Sequence, residues 1–114
     1  MLTSGDVIDL DLGQPAGQEA GFSHPALVVT AQRILDAEPN VVQIVPLTSS
    51  IRAFGSEVLV EAETTNGLDR DSSAQCQHIR AVSIGRVERV RGNVGSVVLA
   101  QIRDVIGLII DIPS

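Results

Sequence analysis

A change of hydrophobic period near the C-terminus limits the folds that this chain can adopt. From Ser96 onward the apolar residues fall at helical spacing, at positions 98, 102, 105, 106 and 109. Ser96 is placed to cap this helix, Gly107 weakens its last turn by roughly 1 kcal/mol relative to alanine, and Pro113 would end it. Strands precede it without βαβ alternation. This order predicts a mainly β fold, a small antiparallel barrel or sandwich with a long C-terminal helix.

The strands are predicted from alternation and from runs of β-branched residues. Residues 6–12 alternate apolar and acidic side chains, which is typical of a half-buried strand. The other predicted strands are 25–31, 41–48 (ending near Pro46), 54–62, 74–80 and 82–90. Between them we expect a turn-rich loop at 13–17, a loop with one helical turn at 31–40, and a turn at the Asn-Gly pair 66–67.

Length and composition indicate one globular domain spanning residues 1–114, with an apolar fraction of 44%. The apolar runs are too short for a membrane span and the N-terminus lacks a signal-peptide pattern, so we expect a cytoplasmic protein. Cys76 is the single cysteine and is expected to be a buried apolar side chain. The two histidines lie far apart without paired ligand spacing, so we expect no metal and no cofactor.

All eight basic residues are arginines, set against fourteen acidic residues, and the net charge is −6. Such a charge argues against non-specific binding of nucleic acid, because phosphate neutralisation supplies most of that affinity. Any RNA contact would need a local arginine cluster. The one concentration of arginines is Arg80, Arg86, Arg89 and Arg91, which composition alone assigns to solvated strand edges and turns.

Residues 17–29 are the stretch most suggestive of a site. The stretch begins as a glycine-broken polar segment and passes through His24-Pro25 into the apolar run Ala26–Val29. Proline restricts the residue before it to extended backbone, so Glu19 and His24 are expected at the rim of a rigid strand. A histidine before proline is otherwise an ordinary turn residue.

Taken in order, several segments resemble the MazF/PemK-type toxins, the ribosome-independent mRNA interferases of type II toxin–antitoxin pairs. The segments are Gly5-Asp6-Val7, the loop 15–19, the residue-Pro-aliphatic run at 24–29, Val45–Ser49, Thr65–Leu68 with Asp71-Ser72, Gln77–Arg80 and Gly92–Val94. Each segment alone is a weak signal, and the ordered set is fairly specific.

The resemblance implies an SH3-like small β-barrel of the CcdB/PemK type with a C-terminal helix, and a homodimer. It also implies metal-independent, sequence-selective cleavage of single-stranded mRNA, and a cognate antitoxin whose C-terminal tail covers the RNA groove. By position, the catalytic residues would be His24, Thr48 and Glu19. Ser49, Gln77, His78 and Arg80 would contact RNA, with His78 and Arg80 on one strand face.

The chain departs from the family pattern in three ways, at four positions. His24 stands where the family has arginine, Gln75 and Gln77 stand where some relatives have an acid/base pair, and Asp9 replaces an aromatic residue. Histidine can exchange a proton near neutral pH but lacks the permanent charge of arginine. An alternative is therefore a catalytically weakened binding module that dimerises and binds an antitoxin. A third possibility is a gyrase-poisoning toxin of the same barrel family, for which the sequence carries no specific signal.

Overall fold

The computed structural model describes residues 1–12 and 23–113. Seven strands are present in this part of the chain: β1 (Asp6–Asp11), β2 (Ser23–Val28), β3 (Val41–Thr48), β4 (Glu57–Val60), β5 (Ser72–Gln75), β6 (Arg80–Ser83) and β7 (Val87–Asn93). The helices are α1 (Gln32–Leu35) and α2 (Gly95–Ile109), with short 3₁₀ turns at Cys76–His78 and Ile84–Arg86. The predicted mainly β fold with a long C-terminal helix is confirmed.

All strand pairs are antiparallel, in the order β4-β5-β3-β2-β1-β7, and β6 also pairs with β3. Strand β3 is the hub: Val41–Ile44 pair with β6, whereas Leu47 and Thr48 pair with β5. Among the described strands the pairings do not close, since β4 and β7 stand at the ends of the path. The SH3-like architecture is therefore present as an open hydrogen-bonded sheet.

Successive side chains of the central strands enter two separate cores, because strand side chains alternate between faces. One core contains Val7, Leu27 and Val45 and is covered by Leu99 and Ile102 of α2. The other contains Ile8, Leu10 and Ala26 on the opposite face. The prediction that the first strand is half-buried is therefore wrong, because β1 is buried on both faces as far as Leu10.

Several predicted boundaries also shift. The predicted strands 74–80 and 82–90 are each interrupted by a 3₁₀ turn, so His78 lies in a turn rather than on a strand face with Arg80. Helix α2 begins at Gly95, not after a Ser96 cap. The Asn93 side-chain oxygen accepts a hydrogen bond from the Gly95 N–H at 2.8 Å. Pro46 does not end its strand, since β3 continues to Thr48.

Two further expectations are confirmed. The segment 31–40 contains one helical turn, α1, and Cys76 is fully buried. No helix in residues 1–12 or 23–113 has the length and apolar character needed to cross a bilayer.

Candidate active site

A cleft of about 290 Å³ opens where β2, the end of β3 and β7 approach the segment that precedes β5. It is lined by His24, Pro25, Leu47, Thr48, Ser49, Leu68, Asp69, Arg70, Ser72 and Arg91. The cleft thus combines an imidazole, hydroxyl groups and two guanidinium groups with one carboxylate. These groups can exchange a proton, donate hydrogen bonds and attract an anion.

His24 lies at the rim of the buried part of β2. It pairs with Leu10 of β1, and its side chain is half-buried while Ala26 two residues later is fully buried. Burial lowers the pKa of His24 below the ordinary value of 6.5, because desolvation disfavours the charged imidazolium. At neutral pH the imidazole is therefore mainly neutral and able to accept a proton.

Thr48 is the last residue of β3 and faces Ser73 across the β3–β5 pair. Its Oγ1 accepts a hydrogen bond from the Ser50 N–H at 3.1 Å, which fixes the hydroxyl oxygen and leaves its proton to be donated elsewhere. Ser49 follows it and is exposed at the edge of the cleft.

Arg91 of β7 is anchored at the opposite side of the cleft. Its Nε donates to Asp9 Oδ1 at 2.9 Å, and its Nη1 lies 3.4 Å from both the Gly67 carbonyl oxygen and Asp69 Oδ2. Burial alone would lower the pKa of Arg91, but Asp9 and Asp69 outweigh it and raise that pKa. The guanidinium is therefore charged at every physiological pH.

Two glycines allow the turn at 64–67 to pack directly against β7. Gly67 has a positive φ of 70°, and a Cβ there would lie 2.5 Å from the Arg91 carbonyl oxygen. A Cβ on Gly92 would lie 2.4 Å from the Thr65 carbonyl oxygen. Only glycine permits this approach, which brings Gly67 and Asp69 within reach of the Arg91 guanidinium.

Asp9 of β1 is the buried carboxylate that holds Arg91 in place. It is 7% exposed and accepts Nε–H donors from Arg91 and Arg89, both at 2.9 Å. A buried carboxylate requires such partners, because desolvation of an unpaired charge is costly. The acidic residue that replaces an aromatic side chain in β1 is thus an arginine anchor.

The sequence profile of a protein family covers almost all of the chain. It matches residues 3–110 and describes the "PemK-like, MazF-like toxin of type II toxin-antitoxin system". This chain belongs to that toxin family. The resemblance inferred from its segments is confirmed.

Individual relatives agree with this assignment. Endoribonuclease MazF9 of Mycobacterium tuberculosis (strain ATCC 25618 / H37Rv) is 34% identical over 119 positions, covering 100% of both chains. A MazE–MazF crystal structure from Deinococcus radiodurans superposes with a TM-score of 0.79 at 24% identity, covering 96% of each chain. An endoribonuclease from a mycobacterial species, in complex with its cognate antitoxin, gives a TM-score of 0.78 at 18% identity, covering 100% of this chain and 99% of that one.

The toxin fold brings together three of the residues selected from sequence. His24, Thr48 and Ser49 all line the cleft. Glu19 lies outside the described residues. Gln77, His78 and Arg80 do not line this cleft.

The latter three residues occupy a separate part of the surface. His78 and Arg80 are exposed, whereas the Gln77 side-chain Nε2 donates to Glu57 Oε2 at 2.7 Å. Glu57 is an almost fully buried carboxylate that also accepts hydrogen bonds from Arg52 and Ser73. Gln77 thus takes part in a structural network.

The two arginines of the cleft, Arg70 and Arg91, were not among the site residues selected from sequence. Arg91 appeared there only as one member of a cluster assigned to solvent, and Arg70 carried no signal. The clue for Arg91 was Asp9, an acidic residue inside a strand with apolar neighbours. Within the described ranges, no three His, Cys, Asp or Glu side chains are grouped so that they could hold a metal ion.

Proposed function

We propose that this chain is the toxin of a toxin–antitoxin pair and a metal-independent, sequence-selective endoribonuclease that cleaves single-stranded mRNA in the cleft. The observation that carries the proposal is the convergence of His24 and Thr48 with two guanidinium groups in one cleft. It is supported by family membership and by the full-length relative named as an endoribonuclease.

The reaction follows from the groups present. Neutral His24 takes the proton of the ribose 2′-hydroxyl, and the 2′-oxygen attacks the adjacent phosphorus. The bond to the 5′-oxygen breaks, and this oxygen takes a proton from water in the open cleft. The hydroxide so formed takes the proton held by His24, which returns the imidazole to its neutral form. The products are a 2′,3′-cyclic phosphate and a 5′-hydroxyl. Because the substrate supplies its own nucleophile, no metal-bound water is required.

Thr48 stabilises the charge that develops on the phosphate. Its hydroxyl oxygen is fixed by the Ser50 N–H, so the hydroxyl proton is free to reach a non-bridging phosphate oxygen. Ser49, beside it, contacts the RNA at the edge of the cleft. Glu19, Gln77, His78 and Arg80 stay predictions, Glu19 as a further catalytic group and the other three as RNA contacts beyond the cleft.

The assembly and location also belong to the proposal. We expect a cytoplasmic homodimer neutralised by a cognate antitoxin whose C-terminal tail covers the cleft, with no cofactor. The support comes from relatives whose structures are described as MazE–MazF and as an endoribonuclease with its cognate antitoxin. Exposed apolar side chains at the C-terminal end, Leu108, Ile110 and Ile112, offer surface for such contacts.

The test is cleavage of a mixed-sequence RNA in EDTA by the purified chain. His24→Ala and Thr48→Ala should lower kcat/KM by about 100-fold or more, the usual range for a lost proton-transfer group or phosphate donor. Thr48→Ser, which keeps the hydroxyl, should retain most activity. Thr64→Ala, at an exposed threonine outside the cleft, is the matched control. A wild-type chain that binds antitoxin but cleaves no RNA would instead support the binding-module alternative.

The pH profile identifies the role of His24. Because the pKa of His24 lies below 6.5, kcat/KM should rise as the pH increases through that pKa and then level off at neutral pH. The charged groups that line the same cleft are Asp69, Arg70 and Arg91. If His24→Arg were equally active at every pH, proton transfer by His24 would be excluded.

A further inference from the structure

Positive charge placed at the phosphate stabilises the transition state of phosphodiester cleavage. The position that supplies an arginine in the resembling family is His24 here, whose imidazole is mainly neutral at neutral pH because burial lowers its pKa. A proton acceptor cannot at the same time hold the phosphate by charge. The cation must therefore come from another element.

Two cations line the cleft within the described part of the chain, Arg70 and Arg91. Arg70 is exposed, and its guanidinium makes no hydrogen bond to any described residue, so it must lose side-chain entropy to hold a ligand. Arg91 is already fixed, with 18% of its side chain exposed. A fixed charge costs no reorganisation when the transition state forms.

The hydrogen bonds of Arg91 leave some N–H donors of its guanidinium group without a partner in the described part of the chain. Nε is bound to Asp9, and Nη1 approaches the Gly67 carbonyl and Asp69. Nη2 has no hydrogen-bond partner among residues 1–12 and 23–113. A guanidinium group has five N–H donors in a rigid plane, so an anchored Arg91 still has donors for a phosphate oxygen.

The surrounding charges do not cancel this cation. Asp9 is shared between Arg89 and Arg91. Asp69 lies 3.4 Å from Arg91 and is the one carboxylate among the three charged residues that line the cleft, Asp69, Arg70 and Arg91. The cleft is therefore a locally positive site in a chain whose net charge is −6.

We propose that Arg91 binds the scissile phosphate opposite His24 and Thr48 and supplies the permanent positive charge, and that Asp9 is the positioning residue that holds it there. This inference rests on the proposed RNA cleavage. Two residues on different strands then carry the roles that one arginine would combine. His24 of β2 transfers the proton, and Arg91 of β7 binds the phosphate.

The chain contains a matched control for this proposal. Arg89 lies on the same strand and pairs with the same carboxylate at the same distance, but its side chain is 63% exposed and does not line the cleft. Arg91→Gln and Arg89→Gln each leave Asp9 with one arginine partner. A difference between these variants in RNA handling, measured where thermal unfolding shows both to be fully folded, therefore reports on the cleft.

Two readouts are measured: kcat/KM for RNA cleavage, and the Kd of a non-cleavable 2′-O-methyl RNA as a function of salt. Arg91→Gln should lower kcat/KM by about 10- to 100-fold, the range for a lost charge-assisted hydrogen bond. It should also reduce the salt slope of log Kd by about 0.7, the value for one phosphate contact on a single strand. Arg89→Gln should stay within about threefold of wild type. Arg91→Lys should be intermediate, since it keeps the charge but loses the fork.

Equal losses in Arg91→Gln and Arg89→Gln would overturn the proposal, because Arg91 would then act only through Asp9. An unchanged salt slope in Arg91→Gln would overturn it as well. If thermal unfolding shows that Arg91→Gln does not fold, Arg91→Lys decides, and wild-type values in both readouts would refute the role. If the wild type cleaves no RNA, the proposed function fails, whereas the salt slope still decides whether Arg91 binds phosphate.

Discussion

The two ion pairs of Asp9 provide a controlled comparison of burial. Both arginines use Nε, both distances are 2.9 Å, and both pairs share one carboxylate. The arginines differ in exposure, 18% of the side chain for Arg91 against 63% for Arg89. We therefore expect the coupling of Asp9 to Arg91 to exceed its coupling to Arg89.

The magnitudes follow from these exposures. A charge-assisted hydrogen bond to a partly buried group contributes about 1.5–3 kcal/mol, and this range applies to Asp9–Arg91. An exposed ion pair contributes about 0.2–1 kcal/mol, because water and salt screen it, and this range applies to Asp9–Arg89. Asp9→Asn, which removes the charge from both pairs, should lower the free energy of unfolding by about 2–4 kcal/mol.

The assay is urea unfolding of two double-mutant cycles, Asp9→Asn with Arg91→Gln and Asp9→Asn with Arg89→Gln. All variants are compared at one protein concentration, since association would add to apparent stability. The Arg91 cycle should give a coupling energy of about 1.5–3 kcal/mol and the Arg89 cycle one of about 0.2–1 kcal/mol. Equal couplings, or a loss below about 0.5 kcal/mol in Asp9→Asn, would refute the assignment of Asp9 as the anchor of Arg91.

Three other predictions concern the scaffold. Burial raises the pKa of the Cys76 thiol from 9.0 to about 11, so its thiolate is about 100-fold scarcer. Alkylation of the folded protein at pH 8 should therefore be at least 100-fold slower than alkylation in urea. Comparable rates would contradict this. Burial alone would raise the pKa of Glu57, but hydrogen bonds from Gln77, Arg52 and Ser73 hold it below its ordinary value of 4.5. Glu57→Gln should therefore lower the free energy of unfolding in urea by about 1–2 kcal/mol at pH 7. This difference from wild type should shrink as the pH falls from 4.5 through the lowered pKa, and a difference that stays constant would argue against these hydrogen bonds as its cause. Gly67→Ala forces alanine into a φ of 70° against β7 and should lower the Tm by about 5 °C or more, whereas Gly55→Ala, with open space around it, should not.

The order and type of the elements were predictable because hydrophobic period is a local property. The change from strands to helix near residue 95 and the buried run after Pro25 both follow from neighbouring residues. The 3₁₀ turn at Cys76–His78 was missed because its sequence resembles a strand. Cys76 and Ile79, three residues apart, both contribute to the core, and over so short a segment the hydrophobic pattern does not distinguish a turn from a strand. The start of α2 was misplaced because the side-chain oxygen that accepts a hydrogen bond from its first turn belongs to Asn93, not to Ser96.

The site was predictable only where position along a strand determines it. His24 and Thr48 stand at the ends of two adjacent strands, so the family order of segments was enough to place them together. Arg91 could not be found in this way. Its anchor, Asp9, lies 82 positions away and becomes a neighbour only when β1 pairs with β7.

Cleavage through the 2′-hydroxyl is tested by end-group analysis of RNA incubated with the wild-type chain in EDTA, beside the same RNA carrying 2′-O-methyl groups. If His24 activates the 2′-hydroxyl, the unmodified RNA should yield fragments with 2′,3′-cyclic phosphate and 5′-hydroxyl ends, and the methylated RNA should stay intact. Fragments with 5′-phosphate ends, cleavage of the methylated RNA, or no cleavage of either RNA would contradict attack by the 2′-hydroxyl in this cleft.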